Sequence, residues 1–289
     1  MLGPGVVVGF DGSAASSRAV EWAVREARIR GVPLTVCHAW EVPVHPVTPA
    51  EVEPARNSAK RILARGVAVA GCQGPGIPIA SRLLAGPAAP ALVYAAEGAE
   101  LLVVGARGAG SCAWLGLGSV SSQLTMHAKC PVEVVRGDGS WRGHGIVVGV
   151  DGSAWSESAV GFAFEEASLH GMPLTVVTSW WEPLASVAST MHTSTEMANL
   201  LDITQMRRGA EVRTELVTSR WREKYPDVTF TSSLATEPPR TALLAAAERA
   251  ALLVVGARGL GGFPGMLLGS VGQAMVDHAP CPVAVIRSE

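Results

Sequence analysis

Leu101-Leu102-Val103-Val104-Gly105-Ala106-Arg107-Gly108, nine residues, then Gly118-Ser119-Val120-Ser121-Ser122: the chain contains this stretch twice. The second copy reads Leu252-Leu253-Val254-Val255-Gly256-Ala257-Arg258-Gly259, nine residues, then Gly269-Ser270-Val271-Gly272-Gln273. A short apolar run bounded by glycine is the pattern of a strand buried on both faces of a parallel sheet. The glycine and serine that close each copy precede helical spacing (Leu124 and Ala128; Ala274, Met275 and Val276), which puts Ser119 and Ser270 at helix starts. The free N–H groups and positive dipole end of a helix attract phosphate, and glycine lets the main chain come close to it. Strand, glycine turn and helix are common parts of α/β domains, so one copy alone says little. Two copies with the same spacing point to a phosphate cradle present in duplicate.

Working outward, Val6-Val7-Val8-Gly9-Phe10-Asp11-Gly12-Ser13 reads as a buried strand ending in an acid and a tight turn. Ala19, Val20, Trp22, Ala23 and Ala27 then have helical spacing, with Ser13 as N-cap and Gly31 as the stop. Strands are expected at Leu34 to Trp40, Ile77 to Leu84, Glu100 to Gly105 and Val132 to Arg136, with helices at Ala55 to Ala70, Pro87 to Glu97 and Ser119 to Met126. The alternation predicts a parallel sheet with helices on both faces. Gly137 to Gly145 reads as a linker, after which Ile146-Val147-Val148-Gly149-Val150-Asp151-Gly152-Ser153 repeats the opening. The expected domains are therefore 1–136 and 146–289. Asp11 and Asp151 are 140 residues apart, whereas Gly105 and Gly256 are 151 apart, so the second half carries eleven extra residues between Trp180 and Val228. That segment, including Ser186 to Thr204, sits where a nucleotide-covering loop could be.

A chain of 289 residues suits two domains, each large enough to bury a core without disulfides or metal. The net charge of −2 gives no basic footprint for nucleic acid. Cys37, Cys72, Cys112, Cys130 and Cys281 are an odd, scattered set without a C-x-x-C pair, as in reduced, cytosolic proteins. With no run of about 18 apolar residues and no basic, apolar leader at Met1 to Gly5, the expectation is a soluble protein of the cytoplasm without membrane insertion.

In an open parallel sheet ligands bind at the carboxyl ends of the strands where the order reverses, and strands one and four meet there. An acid at that place, Asp11 or Asp151, can orient a ribose hydroxyl or hold a metal that bridges phosphates; equally, Asp-Gly simply opens turns. Recurrence in both halves beside the glycine loop favours a functional role. Neither the P-loop pattern with its lysine nor a G-x-G-x-x-G after strand one is present.

The Asp-Gly-Ser strand end, the G-x-x-G, nine residues and G-S motif, and the closing Cys-Pro-Val before a last strand together resemble the universal stress protein family in its tandem-domain, ATP-binding form. The resemblance spans nearly the whole chain. It implies two tandem Rossmann-like domains of the adenine nucleotide alpha hydrolase type, each a five-stranded parallel sheet in the order 3-2-1-4-5. It implies ATP, with Mg2+, as the ligand. Asp11 and the backbone of strand two near Val36 to His38 would address the adenosine; Gly105, Arg107, Gly108, Gly118, Ser119, Val120 and Ser121 would surround the phosphates. The second set is Asp151, Val176, Thr178, Gly256, Arg258, Gly259, Gly269, Ser270 and Val271. The halves are expected to form a pseudo-dimer, and chains to associate further as a homodimer.

Gly272 replaces Ser121 and so removes one hydroxyl expected to face phosphate, and Cys112-Ala113-Trp114 replaces Phe263-Pro264-Gly265 in the loop. Arg107 and Arg258 can neutralise phosphate or merely be solvated. His127 and His278 suit helix C-termini, Cys130 and Cys281 suit a core, and Trp22, Trp155 and Phe162 fall on helix faces expected to be buried. Three functions follow: a nucleotide-dependent regulatory module of the stress response, the favoured one; a slow ATPase or phosphotransferase, for which the acids find no second catalytic group; and a ligand-free interaction scaffold.

Overall fold

The apolar runs of both halves become strands of one sheet. The computed structural model describes residues 5–41, 49–74, 76–108, 118–137, 143–180, 203–261 and 267–288. The first lobe contains β1 (Val6–Gly9), α1 (Ala14–Arg30), β2 (Leu34–Trp40), α2 (Pro49–Gln73), β3 (Ile79–Ala85), α3 (Ala88–Ala95), β4 (Leu101–Gly105), α4 (Ser119–His127) and β5 (Val132–Val135). The second contains β6 (Ile146–Val150), α5 (Ala154–His170), β7 (Leu174–Ser179), α6 (Ile203–Lys224), β8 (Phe230–Ala235), α7 (Pro239–Ala247), β9 (Leu252–Gly256), α8 (Ser270–His278) and β10 (Val283–Ile286).

Within each lobe the strands are parallel and ordered 3-2-1-4-5, and the two sets join into a ten-stranded sheet, β3-β2-β1-β4-β5-β10-β9-β6-β7-β8. The seam is antiparallel: Val283, Ala284 and Val285 of β10 lie opposite Val134, Glu133 and Val132 of β5. Helices α1, α2, α5 and α6 cover one face, with Trp22 and Phe164 fully buried, and α3, α4, α7 and α8 cover the other. Two arginines cross the seam symmetrically. Arg136 donates to the Asp277 carbonyl at the end of α8 (2.8 Å), and Arg287 donates to the Met126 carbonyl at the end of α4. A cation suits the negative end of a helix dipole, so each lobe's last arginine fastens the other lobe's last helix.

Ser13 caps α1 and Gly31 ends it in the left-handed conformation, and Ser153 and Gly171 do the same for α5. Helix α2 begins at Pro49, earlier than Ala55, and includes Pro54. A proline this close to the start removes one helical hydrogen bond and leaves the remainder of the helix intact, so it does not mark the boundary it suggests in the sequence. Trp22 and Phe162 are buried as expected, whereas Trp155 is only half-buried at the second lobe's cleft. The segment 181–202, which holds most of the extra residues, and the loop positions Cys112, Trp114 and Phe263 lie outside the described residues. Among the described residues no helix is long and apolar enough to cross a membrane.

Candidate functional site

Of the helices that follow the carboxyl ends of the strands, the two after the central pair of each half-sheet, β1 and β4 or β6 and β9, start differently. In α1 the Ser13 hydroxyl accepts the Ser16 N–H at 3.1 Å, and in α5 the Ser153 hydroxyl accepts that of Ser156 at 3.2 Å. Helices α4 and α8 have glycine N-caps, Gly118 and Gly269, and no side chain caps them. Their first helical bonds run from Ser122 N–H to the Gly118 carbonyl (3.0 Å) and from Gln273 N–H to the Gly269 carbonyl (2.9 Å). The N–H groups of Ser119, Val120 and Ser121, and of Ser270, Val271 and Gly272, therefore precede the ladder and point out of the helix start, where an anion completes them.

The motif glycines divide by what an added Cβ would meet. At Gly105 it would lie 2.8 Å from the Ala15 main chain, and at Gly256 2.9 Å from that of Trp155, so these glycines let β4 and β9 pack against helix starts. At Gly108 and Gly259 it would lie 2.7 and 2.3 Å from Oδ2 of Asp11 and Asp151, so these seat the carboxylate. At Gly118 and Gly269 the nearest atoms among the described residues, main chain of residues 106–108 and 257–259, would lie at 3.4 and 3.5 Å, an ordinary van der Waals contact. That third pair has ordinary backbone angles, φ −72° and −73°. Among the described residues nothing therefore requires glycine there, and Gly269 lines the cavity described below.

Asp11 and Asp151 follow the turn reading: Oδ1 of each accepts the N–H of Ser13 or Ser153 at 2.9 Å, and Gly12 and Gly152 have φ of +85° and +88°, which favours glycine. In the second lobe Oδ2 also accepts the Leu260 N–H at 2.8 Å. The aspartate thus bolts the glycine loop to the end of β6, at the mouth of the crevice.

A cavity of about 490 Å³ opens beside it in the second lobe, lined by Asp151, Gly256, Arg258, Gly259, Gly269, Ser270 and Val271, and by Val177, Pro239, Leu243 and Val255. Val177 and Ser179 line it; Val176 and Thr178 do not. Successive strand side chains alternate between faces. Val36 and Val176 consequently point into the core under α1, α2, α5 and α6, away from the cleft. The side chains of the other two residues are likewise internal: His38 Nδ1 donates to the Phe10 carbonyl at 2.8 Å, and Thr178 Oγ1 bonds Thr214 Oγ1 at 2.7 Å. The apolar wall of Val177, Leu243 and Val255 went unnoticed in the sequence, although counting by twos along β7 would have found its strand member.

Ser121 also behaves otherwise than expected. Its hydroxyl is buried and donates to the Gly105 carbonyl at 2.7 Å, so it fastens α4 to β4. At Gly272 a Cβ would lie 3.0 Å from Leu268, whose side chain takes that room. Arg258 stacks over Trp155, 5.3 Å from the ring centroid, at the cavity edge. Burial lowers the pKa of Arg136 and Arg287, and the neighbouring Arg107 and Arg258 push the same way, so each loop arginine stands beside a seam arginine. His127 and His278 fall in the last turns of α4 and α8. Burial raises the Cys130 and Cys281 thiols to about 11 and about 12, which makes them inert core groups.

The universal stress protein family profile matches residues 5–136 and again 144–287. The chain belongs to the universal stress protein family. A universal stress protein of Mycobacterium tuberculosis is 34% identical over 297 residues, with 98% of this chain and 96% of the relative covered. One from Mycolicibacterium smegmatis is 33% identical over 298 residues, covering 98% and 97%. The crystal structure of a universal stress protein from Archaeoglobus fulgidus shares the fold, with a TM-score of 0.69 at 19% identity and 98% of both chains covered. The tandem universal stress protein architecture is thus matched along the whole length of the molecule.

Proposed function

We propose that each lobe holds an adenine nucleotide, ATP with Mg2+, and that the protein is a regulatory module of the stress response read out by occupancy rather than turnover. One observation supports this above the others: the helix start at Gly118 and Gly269 has no side-chain cap, and among the described residues a Cβ would fit there without a clash, whereas at the other motif glycines it would clash with protein. The phosphates would lie against the N–H groups of residues 119–121 and 270–272, with Arg107 and Arg258 adding charge. The apolar wall of Val177, Leu243 and Val255 suits a purine, and Ser179 lies beside it. Bound Mg2+ would neutralise phosphate charge and take most of its ligands from phosphate oxygens and water. Since Asp151 already accepts a main-chain N–H on each oxygen, it serves better to hold the loop than to act as a general base. Buried thiols at Cys37, Cys130 and Cys281 suit a reducing, cytoplasmic setting.

The test is direct. Purified protein is denatured and its supernatant analysed for nucleotide, and nucleotide-free protein is titrated with Mg·ATP. Saturable binding of two equivalents is expected. Absence of adenine nucleotide together with absence of saturable binding removes the reading, and single-turnover hydrolysis above the uncatalysed background would replace it with an ATPase.

A further inference from the structure

Where α1 and α5 meet across the seam, four charged side chains close on one another away from either cleft. Glu26 and Arg30 come from the last turns of α1, and Glu166 and His170 from the last turns of α5. Both carboxylates are fully buried, and the side chains of Arg30 and His170 are 6% and 5% exposed. The arrangement has the pseudo-symmetry of the tandem repeat: Glu26 and Glu166 are equivalents, and so are Arg30 and His170, each pair 140 residues apart. Arg30 takes one oxygen of each carboxylate, Oε2 of Glu26 at 3.4 Å and Oε1 of Glu166. The remaining oxygens, Glu26 Oε1 and Glu166 Oε2, face His170 Nε2 at 3.2 and 3.3 Å. Both are sealed from solvent.

We propose that Glu26 Oε1, Glu166 Oε2 and His170 Nε2 form a zinc site that clasps the two lobes. The three atoms lie within 4.8 Å of one another. Zinc bonds of about 2.0–2.2 Å at tetrahedral angles place ligand atoms about 3.3 Å apart, the spacing already present between the imidazole nitrogen and each oxygen. A mixed imidazole and carboxylate set suits Zn2+ better than Mg2+ or Ca2+, which prefer oxygen alone. Two helices end at the site, and their negative dipole ends favour a cation. Arg30 orients both carboxylates from behind, and Glu133, held by the Trp22 indole N–H at 2.6 Å, adds a third carboxyl from β5. The histidine is the informative residue. A second arginine in its place would complete a cage of two glutamates and two arginines, whereas an imidazole can exchange its proton, released to the buffer, for a metal ion. Water would fill the fourth position.

Full-length protein stripped of metal is titrated with ZnCl2, and zinc retained after gel filtration is counted. One equivalent per chain and a raised melting temperature are expected. His170→Arg restores the symmetric cage, so it should fold while its zinc affinity falls at least 100-fold. Cobalt in the wild-type protein supplies a readout that needs no variant: a tetrahedral visible spectrum without thiolate charge transfer is expected. Failure to retain zinc, unchanged affinity in His170→Arg, or a cobalt–thiolate band from an exposed cysteine such as Cys72 would each overturn the site.

Discussion

The two lobes carry the same main-chain cradle with different side chains around it. In the first, Ser121 ties α4 to the Gly105 carbonyl and His38 ties β2 to the Phe10 carbonyl. In the second, Gly272 makes room for Leu268, Thr178 bonds Thr214 of α6, and Trp155 supports Arg258. Yet the uncapped helix, the aspartate turn and the three glycine roles recur in both. What is duplicated is a set of backbone positions; what differs is how each lobe braces them. A ligand held by N–H groups tolerates such differences, because no side chain has to be preserved for the contact.

The comparison breaks most severely at the seam, where equivalent positions hold Arg30 and His170. Arg30→Met should cost about 3–5 kcal/mol, because it leaves two buried carboxylates with one cation between them. Denaturant unfolding reads this loss, and a value below 1 kcal/mol would mean that the ion pairs are incidental. Next come Gly105→Ala and Gly256→Ala, each expected to cost about 1–3 kcal/mol because the new methyl meets main chain that cannot yield. Equal losses in the two variants would establish that both lobes need the same close packing.

Gly118→Ala and Gly269→Ala should do the reverse. Their loss of helix capping and their gain from a stiffer unfolded chain roughly cancel, so stability should change by less than about 1 kcal/mol. Nucleotide affinity in the altered lobe should fall by about tenfold or more, equivalent to about 1.4 kcal/mol. Calorimetric titration of each variant separates the lobes; unchanged affinity in either would remove that glycine from the ligand surface.

A gentler probe is pH in metal-free protein. Burial opposes the charged imidazole of His170, but hydrogen bonds and charge from Glu166 and Glu26 outweigh it and raise its pKa from 6.5 to about 9. Burial raises Glu133 and Glu166, and the neighbouring glutamates add to it; burial pushes Arg30 down, but Glu166, Glu26, Glu133 and Glu165 together outweigh it and raise its pKa. The folded state therefore binds these protons more tightly than the unfolded chain. The histidine's contribution is complete below about 6.5 and lost as pH climbs through about 9, with a slope of at most about 1.4 kcal/mol per pH unit. A melting temperature that rose between pH 7 and 9.5 would contradict this, and His170→Arg should flatten the profile. Least of all, Ser13→Ala and Ser153→Ala should each cost about 1 kcal/mol through loss of an N-cap, to the same extent in both lobes.

Much of this was legible in the sequence because it is written in local patterns. The runs at Val6, Leu101, Ile146 and Leu252 could only be buried strands, and Ser13 with Gly31 bracketed α1 to the residue. Misreadings came where the answer lies in the third dimension. Val36, His38, Val176 and Thr178 were assigned to the adenosine through their strand's backbone; strand parity turns their side chains to the other face and leaves Val177 and Ser179 beside the cavity, which the motif alone does not reveal. Ser121 was taken as aimed at phosphate because it stands in the motif, while the Gly105 carbonyl was the nearer acceptor. The Glu26, Glu166 and His170 cluster was out of reach because no local pattern links residues 140 positions apart; the repeat offset itself was the available clue.

The antiparallel join of β5 to β10 sets the parallel strands of one lobe against those of the other. The two crevices consequently open on opposite margins of a shared sheet, so molecules held in them never touch. Any conversation between them has to pass through the protein, and the crossed guanidinium groups of Arg136 and Arg287 span that gap, each rooted near one loop and gripping the far end of the other lobe's cradle helix. If each crevice holds a ligand, a single chain has four distinct occupancy states: neither lobe, the first, the second, or both.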